Sequence, residues 1–169
     1  MNPSAPFQLR AAEPRDAAAI VGLIRELAEF EKLTHLVEVT PESLRQQLFG
    51  AKPPAEALVV EIGEGAQTEV VAFALFFTNF STFLGLPGIY LEDLYVKRAH
   101  RGSGLGTTLL TRLAQIAVER GCGRFEWSVL DWNENAIRFY KSMGADVMTE
   151  WQICRVTGEG LARLGARSA

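Results

Sequence analysis

The stretch Ile89-Tyr90-Leu91-Glu92-Asp93-Leu94-Tyr95-Val96, followed by Arg101-Gly102-Ser103-Gly104-Leu105-Gly106-Thr107, decides how the rest of this chain of 169 residues is read. The first half predicts a strand. The second opens a helix that carries Leu105, Leu109, Leu113 and Ile116 on one stripe and stops at Gly121, a C-terminal capping glycine. Three glycines and an arginine at a strand-to-helix turn suit a phosphate. Bare backbone N–H groups can close on it, the helix N-terminus supplies partial positive charge, and a cation stands at the rim. A phosphorylated ligand is therefore expected.

Working outward, Phe7 to Arg10 predicts a first strand, and Pro14-Arg15-Asp16 starts a helix with Ile20, Leu23, Ile24, Leu27 and Phe30 at helical spacing, through about Glu31. Thr40-Pro41-Glu42 starts a second helix, with Thr40 as cap, ending near Gly50. Leu58 to Ile62 and Val70 to Phe77 read as strands around a turn at Gly63-Glu64-Gly65, and Asn79 to Gly88 reads as a loop. Beyond the glycine turn come a strand over Arg124 to Leu130 and a helix capped by Asn133 and ended by Gly144. Two short strands are expected at Val147-Met148 and at Trp151 to Val156, then a helical turn at Leu161 to Leu164. The order β-α-α-β-β-β-α-β-α-β-β is an α/β plan with a mixed sheet.

The length predicts one domain, and a formal net charge of −3 without a basic block argues against nucleic acid as partner. The longest apolar run, Val70 to Phe77, is far short of the roughly 20 residues of a membrane span. No basic region followed by an apolar stretch opens the chain, so a cytoplasmic protein is expected. Cys122 and Cys154 stand apart, with no C-x-x-C and two histidines in all, so reduced thiols and no metal are expected. His35 reads as a surface residue, and His100 as a loop histidine beside the turn.

Three phosphate ligands compete for the turn. A P-loop needs a lysine before its Ser or Thr, and none precedes Thr107. A dinucleotide turn needs G-x-G-x-x-G. Gly102 and Gly104 fit, and Glu126 stands where a ribose-binding acid would, but Thr107 replaces the third glycine and the unit comes late in the chain. The third pattern is Arg-x-x-Gly-x-Gly, at Arg101, Gly104 and Gly106. A second motif follows in Asn133-Glu134-Asn135-Ala136-Ile137-Arg138-Phe139-Tyr140-Lys141-Ser142-Met143-Gly144-Ala145, where Asn133, Ala136 and Tyr140 share one helical stripe.

In these two motifs, and in their order, the chain resembles the GNAT superfamily of acetyl-CoA-dependent N-acetyltransferases. Glu26 to Glu31, Tyr90-Leu91-Glu92-Asp93 and Trp132-Asn133-Glu134 are similar to the spermidine/spermine branch, which includes thialysine acetyltransferases. The resemblance implies a GNAT domain over residues 5–166, with a mostly antiparallel twisted sheet, a central strand splay and flanking helices. It implies acetyl-CoA as co-substrate, a homodimer, and a small diamine-like or polycationic acceptor attacked directly in a ternary complex. Cofactor contacts would come from Leu94, Tyr95, Val96, Arg101, Gly102, Ser103, Gly104, Leu105, Gly106, Thr107, Asn133 and Ala136.

The chemistry needs a deprotonated amine, a polarised thioester and a proton for the leaving thiolate. Freeing an alkylammonium of pKa about 10 at pH 7 costs roughly 4 kcal/mol. Glu92 is the expected base and Tyr140 the expected acid. By strand alternation Asp93 points to the opposite face unless the strand bulges, and is otherwise a structural or dimer residue. Phe30, Glu31, Glu92, Glu126 and Glu150 are the expected acceptor contacts. Phe30 stands where the branch often has Tyr, and Glu126 where it often has His. A protein or antibiotic amine as acceptor, and a non-catalytic CoA-binding module, are the alternatives.

Overall fold

The computed structural model describes residues 7–167, so Ala5 and Pro6 of the expected domain lie outside the described residues. Strand β1 is Phe7–Ala11, and a 3-10 turn at Pro14–Asp16 leads into α1, Ala17–Glu31. α2 is Pro41–Phe49, followed by β2 at Glu56–Ile62, β3 at Glu69–Ser81 and β4 at Leu86–Val96. α3 is Leu105–Glu119, β5 is Arg124–Trp127, α4 is Glu134–Ser142 and α5 is Gly158–Gly165. Residues up to Ser128 form one compact unit, and those from Val129 onward a second.

In the first unit the five strands lie in the order β1-β2-β3-β4-β5. All neighbours are antiparallel except β4 and β5, which run parallel because α3 carries the chain back across the sheet. This is a mixed, mostly antiparallel α/β fold, as expected. β1 is tied down by charge: Arg10 donates to both carboxylate oxygens of Asp16 at 2.6 and 2.9 Å and to Glu61 at 2.9 Å. The backbone N–H of Glu13 adds a fourth bond, to Asp16, at 2.7 Å.

α1 buries Ile20, Val21 and Leu23 against Val59, Phe73 and Tyr95, with Leu44 and Leu48 of α2 completing the cluster. Each such side chain contributes about 1.5–3 kcal/mol by leaving water. Val60, Ala72 and Ala74 alternate with these residues along β2 and β3 and are also buried. α3 packs on β3, β4 and β5 through a stripe that includes Leu105, Leu109, Leu113 and Ile116.

Helix ends follow the sequence. Thr40 Oγ1 accepts the Ser43 N–H at 3.1 Å, and Asn133 Oδ1 accepts the Ala136 N–H at 3.2 Å. Gly121 and Gly144 take φ of +66° and +91° just past α3 and α4.

Two expectations need correction. Asn79 to Gly88 is not a loop: Asn79 pairs with Gly88, Phe80 with Pro87 and Ser81 with Leu86. Glycine belongs at 88 because the flanking strands crowd it. A Cβ there would meet Asn79 Oδ1 at 2.5 Å and Arg124 Cγ at 2.9 Å. Nor do Val147-Met148 and Trp151 to Val156 form strands among the described residues. Without sheet pairing to bury alternate side chains, Trp151 and Ile153 are each 70% exposed. The strand expected to reach Leu130 ends at Trp127, and the last helical turn extends to Gly158–Gly165.

Candidate active site

β4 ends at Val96, and a 3-10 turn at Arg98–His100, preceded by Lys97, swings the chain toward α3. Ser103 Oγ donates to the His100 carbonyl at 2.5 Å, and Thr108 N donates to Gly104 O at 2.9 Å. Gly102 and Gly104 adopt φ of +77° and +87°, the left-handed region that other residues enter at a cost of about 1–3 kcal/mol. A Cβ on either would meet open space, so the glycines are required for backbone conformation rather than for room. Gly104 caps α3 without a side chain, which leaves the first N–H groups of the helix, at Leu105, Gly106 and Thr107, unmatched within it. These donors face an exposed turn and fit a pyrophosphate.

β4 changes character at Glu92. Leu91 pairs with Phe76 and Asp93 with Leu75, so Glu92 is an extra residue in the ladder. The bulge turns Asp93 onto the face of Tyr90 and Tyr95, beside α1, where simple alternation would have put it on the other side. The exception that sequence reading allowed for Asp93, a bulge in the strand, is the one the structure shows. Burial pushes its carboxyl up to about 6, helped by the negative charges of Glu92 and Glu31. Burial also raises Glu31, at the C-terminal end of α1. Glu92 itself is exposed. The structure thus brings Glu31, Glu92 and Asp93 together at the bulge.

β5 pairs with β4 only from Gly88 to Leu91. From Glu92 to Val96, β4 has no partner on that side among the described residues, so the strands part where Leu94, Tyr95 and Val96 offer backbone groups. The Tyr95 side chain lies on the α1 side, buried, with its hydroxyl donating to Glu26 at 3.1 Å. Burial and that carboxylate raise the phenol above its ordinary value.

Two expected acceptor contacts have other partners. Phe30 lies under the guanidinium of Arg101, 5.3 Å from centroid to Cζ. Glu126 pairs with Arg124 on its own strand and accepts from Asn79 at 3.4 Å, which offsets the negative charge expected of it. It is the ladder partner of Tyr90 and so lies on the sheet face that also carries Asp93.

The second unit carries the other motif. Asn133, Ala136 and Tyr140 lie along α4, with Asn133 used as its cap and the Tyr140 ring 5.5 Å from that of Phe139. The Tyr140 carbonyl accepts the N–H groups of Met143 and Ala145 and helps to close the helix. Glu150 is exposed in a turn rather than on a strand.

The profile of the Acetyltransferase (GNAT) family matches residues 22–145. The chain belongs to the GNAT acetyltransferase family. It is an N-acetyltransferase, of a family whose co-substrate is acetyl-CoA. The thialysine N-epsilon-acetyltransferase of Mus musculus is 41% identical over 167 residues, covering 95% of this chain and 98% of the relative. The L-ornithine N5-acetyltransferase of Arabidopsis thaliana is 35% identical, covering 91% and 86%. Among solved structures, an integron cassette protein from V. cholerae superposes with a TM-score of 0.78 at 25% identity, covering 95% of this chain and 98% of that one.

The turn and the parted strands fit such a co-substrate. Neither the described residues' carboxylates, thiols and imidazoles nor the bulge acids form a group able to hold a metal ion. No described helix is long and apolar enough to cross a membrane.

Proposed function

We propose that this acetyltransferase moves the acetyl group of acetyl-CoA to the primary amine of a small diamine-, polyamine- or lysine-like acceptor. The observation that carries the reading is the group of like charges at the β4 bulge. Burial raises the carboxyls of Glu31 and Asp93, the negative charges of Glu92 and Glu31 raise Asp93 further, and a cation beside Asp93 would relieve that repulsion. An aliphatic ammonium is such a cation. The thialysine and ornithine enzymes to which the chain is similar act on acceptors of that size and charge.

In the proposed reaction the pyrophosphate rests on the N–H groups of Gly102 to Thr107, with Arg101 as the nearby cation. Backbone groups of Leu94 and Val96 take the pantetheine arm and thioester oxygen where β4 and β5 part. Glu92, open to solvent, accepts the ammonium proton through water, and the free amine attacks the thioester carbon. The C–S bond breaks as the C–N bond forms, and Tyr140 protonates the leaving thiolate. Asn133 and Ala136 line the cofactor from α4, and Glu150 adds acceptor charge. The proposed acetyltransferase domain spans residues 5–166, in a cytoplasmic homodimer.

An amine panel assayed by thiol release tests the acceptor. Thialysine, ornithine or short diamines are expected to turn over faster than peptide amines or aminoglycosides; the reverse order removes this acceptor. Tyr140→Phe is expected to lower kcat roughly 10²-fold or more, with unchanged CoA affinity. An unaltered rate excludes Tyr140 as the acid.

A further inference from the structure

We infer that Phe30 and Tyr95 form an aromatic clamp on Arg101, so that Phe30 serves the nucleotide side of the reaction and not the acceptor side. The inference rests on the glycine turn being the CoA pyrophosphate site. The Arg101 guanidinium lies 5.3 Å from the Phe30 ring centroid and 5.2 Å from that of Tyr95. Its Nε donates to the Val96 carbonyl at 3.1 Å.

One ring is rigid: Tyr95 is 7% exposed, and Glu26 holds its hydroxyl. Glu26 and Phe30 are four residues apart on α1 and share a face. The last turns of α1 therefore supply one ring of the clamp and the carboxylate that pins the other.

Among the described residues no ion pair joins Arg101 to a carboxylate; two rings, the Tyr95 hydroxyl and the Val96 carbonyl hold it. A planar guanidinium held through its faces keeps N–H groups at its edge for an anion, which an ammonium cannot do. The clamp thus positions a cation at the turn without neutralising it. It also ties the turn to the helix that ends in Glu31. A hydroxyl on residue 30, the difference from the resembling branch, adds nothing to a π face, so its loss leaves this role intact.

Isothermal titration with CoA, which binds without reacting, separates the possibilities. Phe30→Leu is expected to weaken CoA binding roughly three- to thirtyfold, while the acceptor KM stays unchanged. Phe30→Tyr should restore wild-type affinity. Arg101→Lys should weaken binding comparably, and the double variant Phe30→Leu/Arg101→Lys should lose little beyond the larger single effect, because both remove one interaction. Arg101 is exposed, so its variant carries the test if Phe30→Leu fails to fold. Wild-type affinity in Phe30→Leu, fully additive losses, or an effect confined to the acceptor KM overturns the clamp. Wild-type protein that binds no CoA would instead overturn the reading of the turn.

Discussion

Two clusters of charge sit in the first compact unit and are built in opposite ways. At the N-terminal corner Arg10 is shared between Asp16 and Glu61, with side-chain exposures of only 12%, 4% and 10%. Burial alone would raise the Asp16 carboxyl, but Arg10 and the Glu13 N–H outweigh it and hold it below the usual carboxylate range. Glu61 is lowered by its bond from Arg10. At the β4 bulge Glu31, Glu92 and Asp93 carry one sign, and Asp93 is pushed up to about 6. The first cluster is complete within the fold and locks β1 to β2. The second costs the fold stability, and suits the proposed acceptor because a cation would complete it.

The largest test of this contrast is Arg10→Ala. It leaves Asp16 buried without its partner, and the expected loss is roughly 3–5 kcal/mol in urea denaturation at pH 7. A loss below about 1 kcal/mol would erase the distinction between lock and site, since buried unpaired carboxylates should cost more.

Next is Asp93→Asn, which should do the opposite and stabilise the protein at pH 7.5, by roughly 1–3 kcal/mol, while lowering acetylation of a cationic acceptor. The sign follows from linkage. A carboxyl with a raised folded pKa is penalised when ionised, so the penalty is full above about 6, shrinks as pH falls, and vanishes below the ordinary value of 3.8. The advantage of the variant should therefore fade between pH 6 and 4.

Asp16 and Glu61, with lowered values, contribute stability that is present above the ordinary carboxylate range and lost as pH falls through their folded pKa values. Wild-type stability should then peak at about pH 5, and the Asp93→Asn peak should move toward neutrality. Thermal unfolding across pH reads both. The smallest expected effect is Glu31→Gln, stabilising by a few tenths of a kcal/mol because solvent screens that site; destabilisation there would show that Glu31 has a structural partner and belongs with the lock.

Much of this was legible in the chain. The caps at Thr40 and Asn133, the terminating glycines at 121 and 144, and the α3 stripe depend on residues within a few positions of one another. The strand extension through Asn79 to Gly88 was not, because Asn, Ser, Thr, Gly and Pro are locally turn residues. Only the facing strand makes Pro87 and Gly88 part of a ladder. The late segment erred the other way: Trp151 and Ile153 alternate as a strand should, yet pattern without a pairing partner makes no sheet. Phe30 illustrates a third case, since its helical position was legible and its contact with Arg101, 71 positions later, was not.

By itself the sequence determined the glycine turn, the second motif with Tyr140, and hence the family and its acyl chemistry, since short-range geometry and residue type suffice for each. Tertiary structure decided which acids meet and what holds the turn's cation. Asp93 joins Glu31 because the ladder between β3 and β4 slips by one residue at Glu92. Arg101 finds its rings because Tyr95 is anchored to Glu26, 69 positions earlier in the chain. Register and helix docking sum many weak contacts between distant segments, and no local pattern in the chain records them.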